Sequence, residues 1–407
     1  MALRTLDPLL AREIAALGEE GRLKGREYVF TAVLPAAGKS GPRYLIDGHG
    51  GKPFLRMNSN NYLGLAMSKA VIGAEREAAE AMGAGPGAVR FISGTWAPHV
   101  ALESRLAAFH GREAAVLFSS AYAAVMGTLP RLVTPETAVI SDALNHNCII
   151  NAVRLAQPKE KHVFAHLDLR EMEARLRDAA KSCRRALIVT DGVFSMRGDH
   201  AELDEIMEIA HEREADFAEG VIVMVDDSHG VGALGATGRG TEEATGAPGC
   251  DVLVATLGKA LGVNGGYVAT GATLARYLRE TSPFYIYSNP ISPGEAAAAA
   301  KSIEILLGED GRRLLARLRA AAARLREGLH ALGLESIGGT HPICPLILRD
   351  SARTTAIAHG LMERGILATA INYPVVPKGE EEIRFQVSAD HTDADIDEVL
   401  AALADLA

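Results

Sequence analysis

ATLGKALG, residues 255–262, is the stretch whose reading decides the fold. It follows the apolar run DVLVA, so a strand gives way to a turn of small residues with Lys259 inside it. An amine there is open to a carbonyl cofactor, because small neighbours let a bulky planar group approach the backbone. Upstream, VDDSHG (225–230) ends the run VIVMV with Asp226. A carboxylate at the end of so apolar a strand is costly to bury without a charged partner. A protonated pyridine nitrogen is such a partner, so the pair Lys259 and Asp226 points to pyridoxal 5'-phosphate (PLP). Taken alone, Lys259 also fits a surface lysine in a turn.

Outward from this pair the chain alternates. Apolar strands are expected at 114–118, 137–140, 186–190, 221–225 and 252–255. Helices are expected at 69–82, 98–109, 122–129, 168–181 and 202–214. The strands feed the loops SSAY, SDALNH, TDGVFS, DDSHG and TLGK. In a predominantly parallel sheet such loops gather outside the carboxyl ends of the strands and build one site from five segments.

Each loop offers chemistry beside a plainer use. His146 can stack on a planar ring or assist proton transfer, or it is a structural loop histidine. His229 and Ser195 can hydrogen-bond a phenolic oxygen, or cap their loops. Thr256 and the Ser120–Ala121–Tyr122 turn suit a phosphate, since free backbone donors stand at a helix start; serine there is also ordinary capping. Asp227 reads as a structural loop acid. GAGPG (83–87) does not follow a strand in a G-x-G-x-x-G pattern, which excludes a dinucleotide fingerprint. Arg384 in EEIRFQ carries a fork suited to a carboxylate, or forms a salt bridge. Asn60 in NSNNYLGL contacts the same carboxylate or ends a strand.

The bulk numbers fit this picture. A chain of 407 residues with 48% hydrophobic and 5% aromatic residues and 41 glycines suits a large α/β domain with a smaller companion. A net charge of -9 argues against a nucleic-acid partner. Cys148, Cys183, Cys250 and Cys344 lack metal-ligand spacing, so no metal site is expected, and they read as reduced residues of a cytoplasmic protein. Arg12 and Glu13 interrupt the N-terminal apolar run, and no run reaches membrane length.

Residues 1–27 are expected to form an amphipathic helix, as a dimer arm, a lid or a surface helix, and 44–57 a hairpin. Helices at 311–332, 353–364 and 393–406 and strands at 343–348 and 382–387 indicate an α+β C-terminal domain. The expected division is 1–55 (helix and hairpin), 56–290 (large domain) and 291–407 (small domain).

NSNNYLGL, VRFISGT, SDALNHN, TDGVFSM, VDDSHGVG, ATLGKALG and YPVVPKGEEEIRFQVSADHT together resemble the α-oxoamine synthase family of PLP fold-type I enzymes, over about residues 55–392. VRFISGT, FYIYSNP and YPVVPKG are most similar to its glycine C-acetyltransferase branch. The resemblance implies an aspartate aminotransferase-like large domain and a homodimer with shared active sites. It implies Lys259 as the internal-aldimine lysine, Asp226 as the pyridinium partner and His146 stacked on the ring. Ser195 and His229 border the phenolic oxygen. Thr256 and Ser120–Tyr122 hold phosphate, as does Ser288 from the other subunit, and Asn60 and Arg384 orient the substrate carboxylate. The implied reaction condenses an amino acid, glycine, with a short acyl-CoA, acetyl-CoA, releasing CoA and a β-keto amino acid or derived aminoketone.

Succinyl users of the family carry a Thr-Arg-Asn segment where this chain has Val89, Arg90 and Phe91, which favours a short uncharged acyl group. Alternatives are alanine with a longer acyl thioester, as in 8-amino-7-oxononanoate synthases, another PLP reaction such as retro-aldol cleavage, and a PLP-fold interaction protein without activity. Ala121, Asn147, Asn151, Arg197, the short LGVNGGY segment, DFAEG (216–220) and the long hairpin at 40–53 depart from the family pattern.

Overall fold

A computed structural model describes residues 3–20, 22, 23, 25, 27–373 and 375–406. Two compact units form. One comprises Asn60–Ala322 and Gly339–Pro342, the other Met1–Ser59, Ala323–Gly338 and Ile343–Ala407.

The first unit is built on a seven-stranded sheet. In chain order its strands are Ala114–Phe118, Thr137–Asp142, Glu160–Phe164, Arg185–Asp191, Val221–Asp226, Val252–Thr256 and Gly266–Thr270. Across the sheet they lie first, seventh, sixth, fifth, fourth, second, third. Six share one direction, and Gly266–Thr270 runs antiparallel to both neighbours. The five expected strands are present. Glu160–Phe164 and Gly266–Thr270 were not expected, nor was the helix Asn147–Ala156.

The apolar strands are explained by burial on both faces. Val139, Leu187, Val189, Met224, Val252 and Val254 pack in one cluster with residues of the helices Ala121–Leu132, Asn147–Ala156 and Ala272–Thr281. The alternate residues Ala138, Ile140, Ile188, Val223, Val225 and Leu253 are fully buried as well. Strands covered on both sides read as continuous apolar runs rather than as alternation. Each buried Val, Leu, Ile or Met among them contributes roughly 1.5–3 kcal/mol relative to exposure. That rigid frame aligns Asp191 with Asp226 across neighbouring strands, both at carboxyl ends.

The second unit holds the expected hairpin, Arg43–Ile46 against Pro53–Arg56, in a four-stranded sheet with Phe30–Leu34 and Ile366–Leu367. Its three-stranded sheet pairs Glu382–Gln386 with Ile343–Ile347 and Thr369–Ile371, beside the helices Ser351–Glu363 and Asp393–Leu406. The N-terminal helix is shorter than the expected 1–27. It spans Asp7–Glu19, closes with Glu20 N–H on Ala16 O, and buries none of its residues. Residues 1, 2, 21, 24 and 26 of that expectation, and Pro374 of YPVVPKG, lie outside the described residues.

Candidate active site

Five loops at the carboxyl ends of the parallel strands converge on a cavity of about 240 Å³. Its walls carry Ser120, Ala121, Tyr122, His146, Ser195, Asp226, His229, Thr256 and Lys259. Nine of the twelve residues expected at the site therefore line one cavity. Cys148, Asp191, Val193 and Ser228 line it too and were not singled out from the sequence.

At one end the helix Ala121–Leu132 begins. Ser120 caps it, its Oγ accepting from Ala123 N at 3.1 Å. Gly266 packs against this turn so closely that a Cβ there would lie 2.1 Å from Ala121 N and 2.3 Å from Ser120 C. Thr256 accepts from Gly258 N at 3.0 Å and donates to Gly265 O at 3.1 Å, which shapes the Lys259 turn.

On another wall His146 caps the helix Asn147–Ala156. Its Nδ1 accepts from Cys148 N at 3.3 Å, and its own N–H donates to Asp191 at 3.0 Å. Burial pushes its imidazole below the ordinary range, with Lys259 adding to the fall and Asp226 opposing it. The Tyr122 ring stands edge-on to His146 at 6.4 Å. Tyr122 Oη donates to Asn147 Oδ1 at 3.0 Å and accepts from Asn151 Nδ2 at 2.7 Å. The two asparagines that depart from the family pattern thus hold the tyrosine.

Asp226 ends its strand almost fully buried and accepts from Ser228 N at 3.1 Å. The neighbouring Asp191 carboxyl is driven well above its usual range by burial and by the Asp226 charge. Cys148 donates to Asp226 at 3.5 Å, and burial beside that carboxylate raises its thiol. Asp227 faces away from the cavity. It accepts from Thr241 N at 2.8 Å and Thr241 Oγ1 at 2.6 Å, a structural loop acid whose carboxyl burial lifts to about 7. His229 Nδ1 lies 2.8 Å from Tyr62 Oη, and Tyr62 Oη donates to Asn60 Oδ1 at 3.3 Å. Asn60 is therefore one tyrosine removed from the cavity wall. His341 Nε2 donates to His229 O at 2.8 Å and steadies that loop.

Two expected residues lie elsewhere. Ser288 is outside the cavity of its own chain, its Oγ donating to Asn289 O at 3.4 Å. Arg384 sits on the strand Glu382–Gln386 of the other compact unit. In the Val89–Phe91 segment, Arg90 is buried and bound in a two-pronged pair to Glu103, both distances 3.1 Å. Glu103 also takes Leu117 N at 3.0 Å and Arg279 at 3.2 Å. Arg90 is thus a structural anchor, and Phe91 beside it is exposed.

Known proteins resemble this chain over nearly its whole length. The family described as aminotransferase class I and II matches residues 52–403. The 2-amino-3-ketobutyrate coenzyme A ligase of Homo sapiens, named as mitochondrial, is 39% identical over 407 residues, which are 100% of this chain and 93% of the relative. The 8-amino-7-oxononanoate synthase of Thermosipho melanesiensis is 40% identical over 390 residues, 96% of this chain and 95% of the relative. Serine palmitoyltransferase from S. paucimobilis, solved with a bound PLP–myriocin aldimine, superposes with a TM-score of 0.85 at 29% identity, covering 99% of this chain and 98% of that one. On this match, over nearly its whole length, the chain belongs to the aminotransferase class I and II family, in its α-oxoamine synthase branch.

Proposed function

We propose that this chain is a PLP-dependent C-acyltransferase that joins glycine to acetyl-CoA, forming 2-amino-3-ketobutyrate and releasing CoA. The observation that carries the reading is the convergence of Lys259, Asp226 and His146 on one cavity in a chain 39% identical, end to end, to a 2-amino-3-ketobutyrate coenzyme A ligase.

The cavity fits the cofactor. Ser228 Oγ is buried in its wall without a hydrogen-bond partner among the described residues, so the wall presents a polar group that a ligand can satisfy. The start of the helix Ala121–Leu132 offers backbone donors to a phosphate, with Ser120, Tyr122 and Thr256 around them. Asp226 offers a buried carboxylate to a pyridinium, and Lys259 the amine that holds the aldehyde carbon. When bound, PLP supplies an electron-withdrawing ring that delocalises the pair left on the α-carbon of the amino acid.

The chain's own residues do the rest. Lys259 Nζ, set free as an amine once the glycine amine replaces it at the aldehyde carbon, would take the α-proton of glycine. Asp226 would accept the hydrogen bond of the ring nitrogen. Burial favours the neutral form of His146, so a ring stacked on it would meet no added positive charge. Ser195 and His229 border the phenolic oxygen. The freed electron pair forms a carbon–carbon bond to the thioester carbonyl, and CoA departs as thiolate. Preorganised donors around that centre lower the barrier because they need not reorient as charge moves.

Asn60 and Arg384 receive the amino-acid carboxylate, an assignment that rests on the motifs NSNNYLGL and EEIRFQ. The acyl group is short and uncharged, because the guanidinium of Arg90 is already committed to Glu103. The working form is a homodimer in which Ser288 serves the partner's phosphate site; the exposed Leu6, Leu9, Leu10 and Ile14 on one helix support an apolar contact. A monomer in sedimentation that keeps full PLP affinity and activity overturns this. The compartment is the cytoplasm, on the strength of the buried Cys148, Cys183 and Cys250 read as reduced thiols. Among the described residues no helix is long and apolar enough to cross a membrane.

A second reading is condensation of alanine with a longer acyl thioester, favoured by the 40% identity to an 8-amino-7-oxononanoate synthase. A matrix of glycine, alanine and serine against acetyl-, propionyl-, succinyl- and long-chain acyl-CoA, read by CoA release and product mass, separates the two. Glycine with acetyl-CoA is expected to lead. A clear preference for alanine with a long chain, or for succinyl-CoA, refutes the assignment.

A further inference from the structure

The turn between the strand Glu160–Phe164 and the helix Leu169–Ala179 carries His166, which the mechanism above does not use. Its Nδ1 lies 3.1 and 3.3 Å from the two oxygens of Asp142, and its Nε2 lies 3.2 Å from Asp199 Oδ2. A ring that faces a carboxylate at both nitrogens donates from both, as only the imidazolium can. The ring also stands edge-on to Phe194, with centroids 4.4 Å apart.

The surroundings are built around this contact. Asp142 accepts Leu144 N at 2.8 Å and Leu167 N at 2.9 Å. Leu167 adopts φ 59°, a left-handed conformation uncommon for leucine. Such strain persists where neighbouring contacts over-determine it. Asp142 begins the loop that carries His146. Asp199 belongs to the hairpin that carries Ser195, closed by a Val193–His200 bridge and by Phe194 N on Asp199 O at 2.9 Å. Arg197, which departs from the family pattern, donates to the same Asp199 at 2.8 Å. From its own turn and helix, Asp168 and Glu171 cap the backbone at Glu171 N and Ala165 N rather than meeting the ring.

We infer that His166, as an imidazolium, is a positioning residue that clasps Asp142 to Asp199 and so holds the His146 loop and the Ser195 hairpin where both line the cavity. Burial opposes the charge, but the hydrogen bonds and charges of Asp142 and Asp199 outweigh it and carry the imidazole up to about 9. A histidine raised above its unfolded value of about 6.5 contributes stability that is complete below that pH and is lost as pH rises through its folded value. The clasp therefore opens in alkali.

The consequence for the cofactor rests on the reading of the cavity as a PLP site; the clasp itself does not. The test compares wild type, His166→Gln and His166→Arg as full chains, with and without PLP, at pH 7 and pH 10. The melting-temperature gap between wild type and His166→Gln is expected to close between pH 7 and pH 10, while the gap between His166→Arg and His166→Gln persists. At pH 7, His166→Gln is expected to release PLP several-fold faster and to alter the circular dichroism of the bound cofactor. A wild-type gap that is the same at both pH values overturns the clasp. So does PLP release with unchanged dichroism in His166→Gln. Closure of the gap in a chain that binds no PLP leaves the clasp standing and refutes the cofactor reading. Should His166→Gln not fold, Asp199→Asn serves: the alkaline inflection of stability then moves below the wild-type value, and an unmoved inflection refutes the proposal.

Discussion

The proposed reaction concentrates its chemistry in the Lys259 amine, so removal of that amine is expected to have the largest single-residue effect. Lys259→Ala is expected to lose the visible absorbance of covalently held PLP and to lower kcat by roughly 10²–10⁴-fold. Absorbance and CoA release check both, and a variant that keeps the same covalent species refutes the assignment. At this scale much of the site was legible. Lys259, Asp226, His146, His229 and Thr256 follow apolar strands directly, so the strand pattern points at them. Ser228, Asp191 and Cys148 were not legible. Ser228 matters because its hydroxyl has no hydrogen-bond partner among the described residues, and Asp191 because it stands beside Asp226 in register, facts of three-dimensional neighbourhood. Arg90 shows the converse. Its type suggests an anion-binding site, and only its pairing with Glu103 reveals a structural anchor.

Among elements, the strand Gly266–Thr270 decides how tightly the cavity closes at the Ser120–Ala121 turn. It inserts antiparallel between Ala114–Phe118 and Val252–Thr256 and brings its first glycine against the turn that caps the helix Ala121–Leu132. Gly266→Ala puts a Cβ into contact with backbone, which cannot swing away as a side chain can. Overpacking of this kind costs about 1–3 kcal/mol, and here the displaced atoms belong to the turn proposed to bind the phosphate. Gly266→Ala is expected to lower the melting temperature and to weaken PLP binding more than it alters KM for glycine; calorimetry and PLP titration decide. This strand escaped the sequence reading because GYVAT is short and follows the glycine-rich LGVNG with no second turn signal. Glu160–Phe164 escaped because it is an edge strand, half exposed, and EKHVF carries three polar residues. The helix Asn147–Ala156 was hidden behind asparagines that read as loop, although His146 caps it.

At the scale of the molecule, two buried histidines make acid one destabilising direction, opposite to that of His166. His110 in the sheet unit and His391 in the other unit are both buried, and burial lowers them to about 3 and about 4, which favours their neutral forms. His110 Nε2 lies 2.8 Å from Tyr267 Oη, and His391 Nδ1 accepts from Ser388 N at 3.1 Å. Below pH 6.5 the unfolded chain binds more protons than the folded one at these positions. The stability each supplies is present above pH 6.5 and is lost as pH falls toward the folded value. At pH 4 the loss approaches roughly 3 kcal/mol per histidine. Urea unfolding at pH 7 and pH 4.5 checks this. His110→Gln is expected to flatten the acid limb, and an unchanged limb shows that other groups govern it.

The division between sequence and structure follows from what each level of interaction senses. The order of apolar strands and small-residue loops determined the α/β class, the five loops and most of the residues within them, because burial on both sheet faces selects residue type locally. The family reading came from those same motifs. Tertiary structure alone decided which carboxylate faces the cavity and which holds a loop. Asp226 and Asp227 are adjacent and chemically identical, yet one lines the cavity and the other binds Thr241. It also decided that His166, unremarked in the sequence, joins two loops. Whether a charge is paired, desolvated or open to a ligand depends on neighbours remote along the chain, and local pattern carries no record of them.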